Sequence, residues 1–212
     1  MNRKSHWESI YSTKPSAGLS WYQAHPQRSL DLIASTDLPK NVKIVDVGGG
    51  DSLLVDELVS RGYQDITVLD LSRAALDRAR VRLGDAATGR VTWLERDILE
   101  GDLPKEAFDI WHDRAVFHFL TNADDRDSYI RRVQHAVRPG GYVIVATFAE
   151  DGPTRCSGLP VERYSAATLH ATFGSDFQLL GAKREFHHTP TGLEQRFTYC
   201  LCRYEPQLVA SP

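Results

Sequence analysis

Cysteine is scarce in this chain, and its usage argues against a disulfide framework. Cys156, Cys200 and Cys202 form an odd set without metal-ligand spacing, as expected of a protein kept in a reducing cytoplasm. No apolar run approaches the length of a membrane span, so no membrane partner is expected. Residues 1–7 carry two positive charges with no apolar stretch behind them, which does not read as a secretory signal; a cytoplasmic location is the expectation. An excess of one charge is also missing. A formal net charge of -3 lacks the basic surplus of a nucleic-acid binder, and no nucleic-acid partner is expected. Internal repeats and low-complexity tracts are absent.

What is present suits an ordinary globular chain. At 212 residues and 42% hydrophobic content it can bury a full core, roughly 70% of its unfolded surface. Short β-branched runs alternate with amphipathic segments, predicting strands at 43–47, 65–69, 91–95, 108–112 and 142–148. Helices are predicted at 52–61, 72–83, 124–137 and 165–173, with Ser72 and Ser165 as caps. Arg138-Pro139-Gly140-Gly141 should stop the helix before 142, and two extended runs, 177–186 and 195–204, should pair as an antiparallel hairpin with His187 and His188 at its tip. This order predicts an α/β three-layer sandwich of Rossmann-like type, with a seven-stranded mixed sheet that is mostly parallel. Residues 1–40 read as an aromatic, partly helical cap belonging to the same domain as 41–212.

The richest chemistry lies at the carboxyl ends of the strands, where ligands of open α/β sheets bind. Gly48, Gly49 and Gly50 follow the first strand and allow a sharp turn with close approach of backbone to a ligand. Asp70 ends the second strand, where an acidic side chain can grip a ribose diol. A dinucleotide fingerprint would require a third glycine where this chain has Leu53, so a ligand without a pyrophosphate fits better. An NAD-dependent oxidoreductase shares the sheet, the glycine turn and Asp70, and Leu53 counts against it. Arg73, Arg78, Arg80 and Arg82 read as a solvated helix face.

In combination, Asp46-Val47-Gly48-Gly49-Gly50, Val68-Leu69-Asp70-Leu71-Ser72, Glu95-Arg96-Asp97-Ile98 and Arg138-Pro139-Gly140-Gly141-Tyr142 resemble the motifs of the class I S-adenosylmethionine-dependent methyltransferases. The resemblance covers about residues 42–204. It implies an enzyme that binds S-adenosylmethionine and releases S-adenosylhomocysteine, with 41–212 as the methyltransferase domain. Asp46 and the backbone of Gly48 to Gly50 would border the methionine part of the cofactor. Asp70, with Leu71 beside it, would accept both ribose hydroxyls, Asp97 would accept from the adenine amino group, and Ile98 would cover the ring. A closer likeness is to the branch that includes protein lysine methyltransferases, through Trp7 with Tyr11, the pair Trp21-Tyr22, and Ser52. That branch ends its fourth strand in Asp-Lys-Gly-Thr. This chain has Asp113-Arg114-Ala115-Val116, keeping only the acid. An Asn-Pro-Pro-Tyr or Asp-Pro-Pro-Tyr tetrapeptide is absent, unlike methyltransferases that act on adenine or glutamine amides.

Catalytic candidates are Asp113, placed to hold the cofactor's amino acid end or orient a nucleophile, and His118, able to accept a proton near neutral pH. Trp21, Tyr22 and Phe117 are candidates for aromatic walls beside a cationic sulfur. The loop 151–160, carrying Cys156, is expected to shape a substrate pocket. The expected acceptor is a small-molecule nucleophile, with a protein lysine as the alternative; a non-catalytic S-adenosylmethionine-binding module is a further one.

Overall fold

The computed structural model describes residues 2–101 and 103–207. Residues 208–212 of the 41–212 stretch, and Met1 of the N-terminal reading, lie outside the described residues. The chain enters through α1 (Arg3–Thr13) and α2 (Gln27–Ala34), then alternates β1 (Lys43–Val47), α3 (Leu54–Ser60), β2 (Asp65–Asp70), α4 (Arg73–Leu83), β3 (Val91–Glu95) and β4 (Phe108–Arg114). It continues with α5 (Ala123–Ala136), β5 (Val137–Phe148), a two-stranded ribbon of β6 (Arg155–Cys156) and β7 (Leu159–Pro160), α6 (Ala166–Phe173), β8 (Phe177–His188) and β9 (Glu194–Tyr204).

Seven strands form the main sheet in the order β3-β2-β1-β4-β5-β9-β8. The first five in that order run parallel, while β9 is antiparallel to both β5 and β8. This is the mixed sheet expected from the sequence. Alternating side chains feed two cores, because successive residues of a strand point to opposite faces. Val45, Val47, Trp111, Val143 and Val145 pack with Tyr129 and Val133 of α5 and Phe173 of α6. Ile44, Ile66, Val68, Ile110 and Ile144 pack with Leu30 of α2, Leu58 of α3 and Leu76 of α4.

Two details depart from the sequence reading. Helix α5 ends at Ala136 and pairing of β5 starts at once, with Val137 opposite Phe108. Regular register resumes at Tyr142 opposite Ile110, so Arg138 to Gly141 form a bulge within the strand. Gly140 has φ +80, and a Cβ on Gly141 would stand 2.9 Å from the Arg138 carbonyl oxygen, which explains the glycine pair. His187 and His188 belong to β8, paired with Gln195 and Glu194, and the turn proper begins at Thr189. His187 is buried and its Nε2 donates to the Ser20 carbonyl at 2.7 Å, tying the hairpin to the N-terminal segment.

Helix α1 is anchored across the carboxyl ends of β2 and β3. Glu8 accepts from Ser72 Oγ at 2.7 Å and from Ala74 N at 3.2 Å, a carboxylate at the N-terminus of α4 where the free N–H groups favour negative charge. Lys4 Nζ pairs with Glu95 at 2.5 Å. The four arginines of α4 divide their work. Arg82 donates to the Asp51 and Ser52 carbonyls at 3.0 and 2.9 Å and pairs with Asp56, while Arg78 donates to the Lys14 carbonyl at 2.7 Å. Arg73 and Arg80 pair with Asp77 of their own helix.

The carboxyl end of β4 is fixed from inside the core. Asp113, fully buried, accepts from Val116 N at 2.8 Å, from Phe117 N at 3.0 Å and from Tyr129 Oη at 2.5 Å, and Trp111 Nε1 donates to Tyr129 Oη at 2.9 Å. This network holds Ala115 at φ 75, a left-handed conformation that an alanine adopts only under constraint. Asp113→Ala strands buried donors that each cost about 1–3 kcal/mol, so we expect a loss of roughly 3 kcal/mol or more in urea unfolding, with Asp113→Asn losing less. A loss below about 1 kcal/mol would show that the network does not hold the turn.

Candidate functional site

The carboxyl ends of the strands open into a cavity with about 890 Å³ of empty space, counting its mouth. Its floor is the glycine turn. Gly48 N and Gly49 N both donate to the Leu69 carbonyl, at 2.7 and 3.2 Å, folding the chain back over β2. Gly48 and Gly50 have φ +65 and +53, and a Cβ on Gly48 would meet Val116 Cγ2 at 2.0 Å. On Gly49 it would meet Asp46 Oδ2 at 2.5 Å, and on Gly50 Tyr11 Oη at 2.6 Å. The turn therefore exposes backbone where any side chain would collide.

One end of the cavity is acidic. Asp70 is 6% exposed and lines it with Leu71; its Oδ1 accepts from Ser72 N at 2.8 Å. Burial lifts its carboxyl to about 7, partly offset by the N–H groups of Ser72 and Gly50. Asp97 and Ile98 line the same end; Asp97 Oδ1 accepts from Leu99 N at 2.9 Å and its Oδ2 lies 3.7 Å from Arg3 Nε. A buried carboxylate at the end of β2, an acid and an apolar side chain after β3, and a side-chain-free turn after β1 match what an adenosine-bearing ligand requires.

The other end is aromatic. Trp7, Trp21 and Phe119 meet edge-on, with ring centroids 5.7 Å apart for Trp7 and Trp21 and 5.0 Å for Trp7 and Phe119. Phe148, Phe197, Cys156 and Gln195 complete the wall. Arg114, next to Asp113, lines the cavity too. Its Nε donates to Tyr199 Oη at 2.9 Å, its Nη1 to the Trp21 carbonyl at 3.2 Å, and its guanidinium lies 4.3 Å from the centre of the Phe197 ring. Its charge is met by Glu185 at 3.4 Å. A smaller adjoining cavity is lined by Tyr11, Trp21, Tyr22, Asp46, Ser52 and Arg114 among others.

Several sequence expectations change here. Asp113 and His118 line neither cavity. Asp113 is consumed by the β4 turn, and burial raises its carboxyl to about 6. His118 is fully buried, its Nδ1 accepts from Phe148 N at 3.3 Å, and burial together with the nearby Arg114 charge lowers it to about 3, so it stays neutral. Phe117 is core, packed on Tyr129, Tyr164 and Phe173, and Phe119 stands in the wall expected of it. Asp46 spends Oδ1 on His112 Nδ1 at 2.7 Å, while His112 Nε2 meets Ser29 Oγ at 2.8 Å. Trp21 lines both cavities, whereas Tyr22 lines the smaller one and not the main one. Cys156 does reach the cavity, but burial pushes its thiol up to about 11, leaving it protonated near neutral pH. Arg114, Phe119, Gln195 and Phe197 were not singled out for the site from sequence, since only the folded hairpin and the β4 turn bring them together.

Comparison with known proteins agrees with this geometry. A family described as a methyltransferase domain matches residues 44–141, the stretch from β1 through the β5 bulge. EEF1A lysine methyltransferase 2 of Danio rerio is 22% identical over 160 residues, covering 69% of this chain and 69% of that one. A structure described under the conversion of a disulfide bond into a thioacetal group during echinomycin biosynthesis superposes with a TM-score of 0.76 at 20% identity, covering 95% of this chain and 93% of the other. The 1,6-didemethyltoxoflavin-N1-methyltransferase of Burkholderia thailandensis, solved with bound 1,6-didemethyltoxoflavin and S-adenosylhomocysteine, gives a TM-score of 0.72 at 19% identity and covers 96% of this chain and 87% of that one. With the matched domain laid over the glycine turn, Asp70 and Asp97, residues 44–141 are a methyltransferase domain, and the chain is similar to the class I S-adenosylmethionine-dependent methyltransferases, near the branch that contains protein lysine methyltransferases.

Proposed function

We propose that the chain transfers a methyl group from S-adenosylmethionine to a small-molecule nucleophile held at the aromatic end of the cavity. The supporting observation is one cavity lined by Asp70 at the end of β2 and Asp97 beyond β3, and by Phe119 beyond β4, Phe148 at the end of β5 and Phe197 on β9, groups that the strand order sets apart. Asp70 would accept the ribose hydroxyls, Asp97 the adenine amino group, and Ile98 would cover the ring. Gly48 to Gly50 and Tyr11 would border the methionine part, with Trp21 and Tyr22 over the smaller cavity. When bound, S-adenosylmethionine supplies an electrophilic methyl group on a sulfonium. Trp21 and Phe119 line the cavity and would attract that cation through their ring faces, contacts worth roughly 0.5–2 kcal/mol. The remaining contribution of the chain is alignment and exclusion of water, which alone can correspond to effective molarities on the order of 10⁵ M. Neither Asp113 nor His118 is available as a base, so the nucleophile reaches this site with its lone pair free.

A protein lysine acceptor is the second reading, favoured by the similarity to EEF1A lysine methyltransferase 2. Incubating the protein with methyl-tritiated S-adenosylmethionine and cell lysate separates the two. Label is expected in the small-molecule fraction, and label confined to protein would overturn the preferred acceptor.

Asp70 gives a second prediction. Between about pH 4 and pH 7 the folded protein retains a proton that an unfolded Asp70 has released, so this residue's contribution to stability falls as pH rises through that window. Asp70→Asn should therefore raise the Tm of the ligand-free protein at pH 8 while weakening S-adenosylhomocysteine at least about tenfold in calorimetry. For the parent chain, that affinity should rise with pH up to about 7 and then level off. Undiminished binding by Asp70→Asn would remove Asp70 from the ribose site, and NAD binding in place of the thioether would overturn the cofactor assignment.

A further inference from the structure

We infer that Gln195 marks an acceptor subsite for a small, uncharged molecule that presents an N–H or O–H donor to its side-chain carbonyl; the inference rests on the methyltransferase reading above. Gln195 lies at the start of β9, opposite His187, at the end of the hairpin that overhangs the carboxyl end of β5. It is 9% exposed and lines the main cavity, yet its buried Oε1 has no hydrogen-bond partner among the described residues. A buried carbonyl left unpaired is costly, and native structures satisfy nearly all such groups. Phe148, Phe197 and Cys156 share this wall, so the surface around the orphan acceptor is apolar. A ligand with one donor group on a largely apolar body satisfies the carbonyl and covers the rings together.

Charge narrows the class further. Among the described residues lining the cavity, the only carboxylates are Asp70 and Asp97. They stand beyond β2 and β3, whereas Gln195 stands on β9, and the strand order puts four interstrand steps between β2 and β9, about 19 Å. The ionic group near Gln195 is the Arg114 guanidinium, which lies against Phe197. Glu185 pairs with it from outside the cavity lining, and Cys156 is held as a neutral thiol. With the Arg114 guanidinium already paired to Glu185, an ammonium entering here would find no free carboxylate among the described residues that line this end and would be desolvated without a partner, which selects against cations. The subsite thus favours a neutral nucleophile over a lysine side chain.

The test uses the full chain saturated with S-adenosylhomocysteine and three probes: indole, N-methylindole and Nα-acetyl-lysine amide. Ligand-observed NMR titration should show indole binding about tenfold more tightly than N-methylindole, with the lysine amide weakest, the discrimination expected when a donor pairs an otherwise orphaned acceptor. Gln195→Leu should erase the difference between the two indoles while S-adenosylhomocysteine affinity stays within about twofold of the parent, which also reports correct folding. Equal binding of the indoles by the parent chain, failure of indole to bind, or preference for the lysine amide would overturn the subsite while leaving the cofactor reading intact. Failure of S-adenosylhomocysteine to bind would instead overturn the methyltransferase site, and this inference with it.

Discussion

The lack of room beside the turn at Gly48 to Gly50 is the constraint on which the site depends. Val116 closes on Gly48 from the β4 turn, Asp46 and Val68 close on Gly49 from β1 and β2, and Tyr11 closes on Gly50 from α1. Each neighbour is fixed in its own way. Val116 is held by the Asp113 network, Asp46 by His112, and Tyr11 by the anchoring of α1 through Glu8. The N-terminal helix is thereby part of the site's geometry, although it lies outside the alternating strands and helices.

The carboxylates show how the same residue type takes different roles by position. Asp70 and Asp113 are both buried and both raised by desolvation. Asp113 has three donors from its own surroundings, so its charge is spent on structure. Asp70 keeps a place on the cavity wall, and its burial is an energetic debt that a hydrogen-bonding ligand can offset. This fits a site in which binding, more than proton transfer, is the work of the acids. His118 follows the same logic: a neutral imidazole enclosed by Phe119 and Phe148 serves packing and one backbone hydrogen bond.

The antiparallel hairpin supplies the other half of the cavity. Because β9 runs opposite to β5, its start lies where β5 finishes, and Gln195 and Phe197 reach the ligand end of the sheet. The hairpin also carries Glu185 and Tyr199, which hold Arg114 against Phe197. On the proposed reading, the side chains that distinguish one acceptor from another come mostly from β5, the Cys156 ribbon and the hairpin, beyond the segment that matches the methyltransferase domain.

Local signals were enough to read the sheet from the sequence. β-branched runs, serine caps and the glycine turn are encoded by neighbouring residues, and strand ends in an α/β fold project toward one edge, so Gly48, Asp70, Asp97 and Ile98 were legible as neighbours in space. The Arg138 to Gly141 bulge reads in sequence as a helix stop and a turn into the next strand, because proline and glycine give the same local signal in both settings. What only the tertiary structure decided is which of adjacent side chains faces a cavity and which faces the core. Asp113 and Arg114, or Phe117 and Phe119, are near neighbours in sequence with opposite fates. That choice depends on long-range partners, Tyr129 and Phe173 on one side, Trp7 and Tyr199 on the other, and no local periodicity records them.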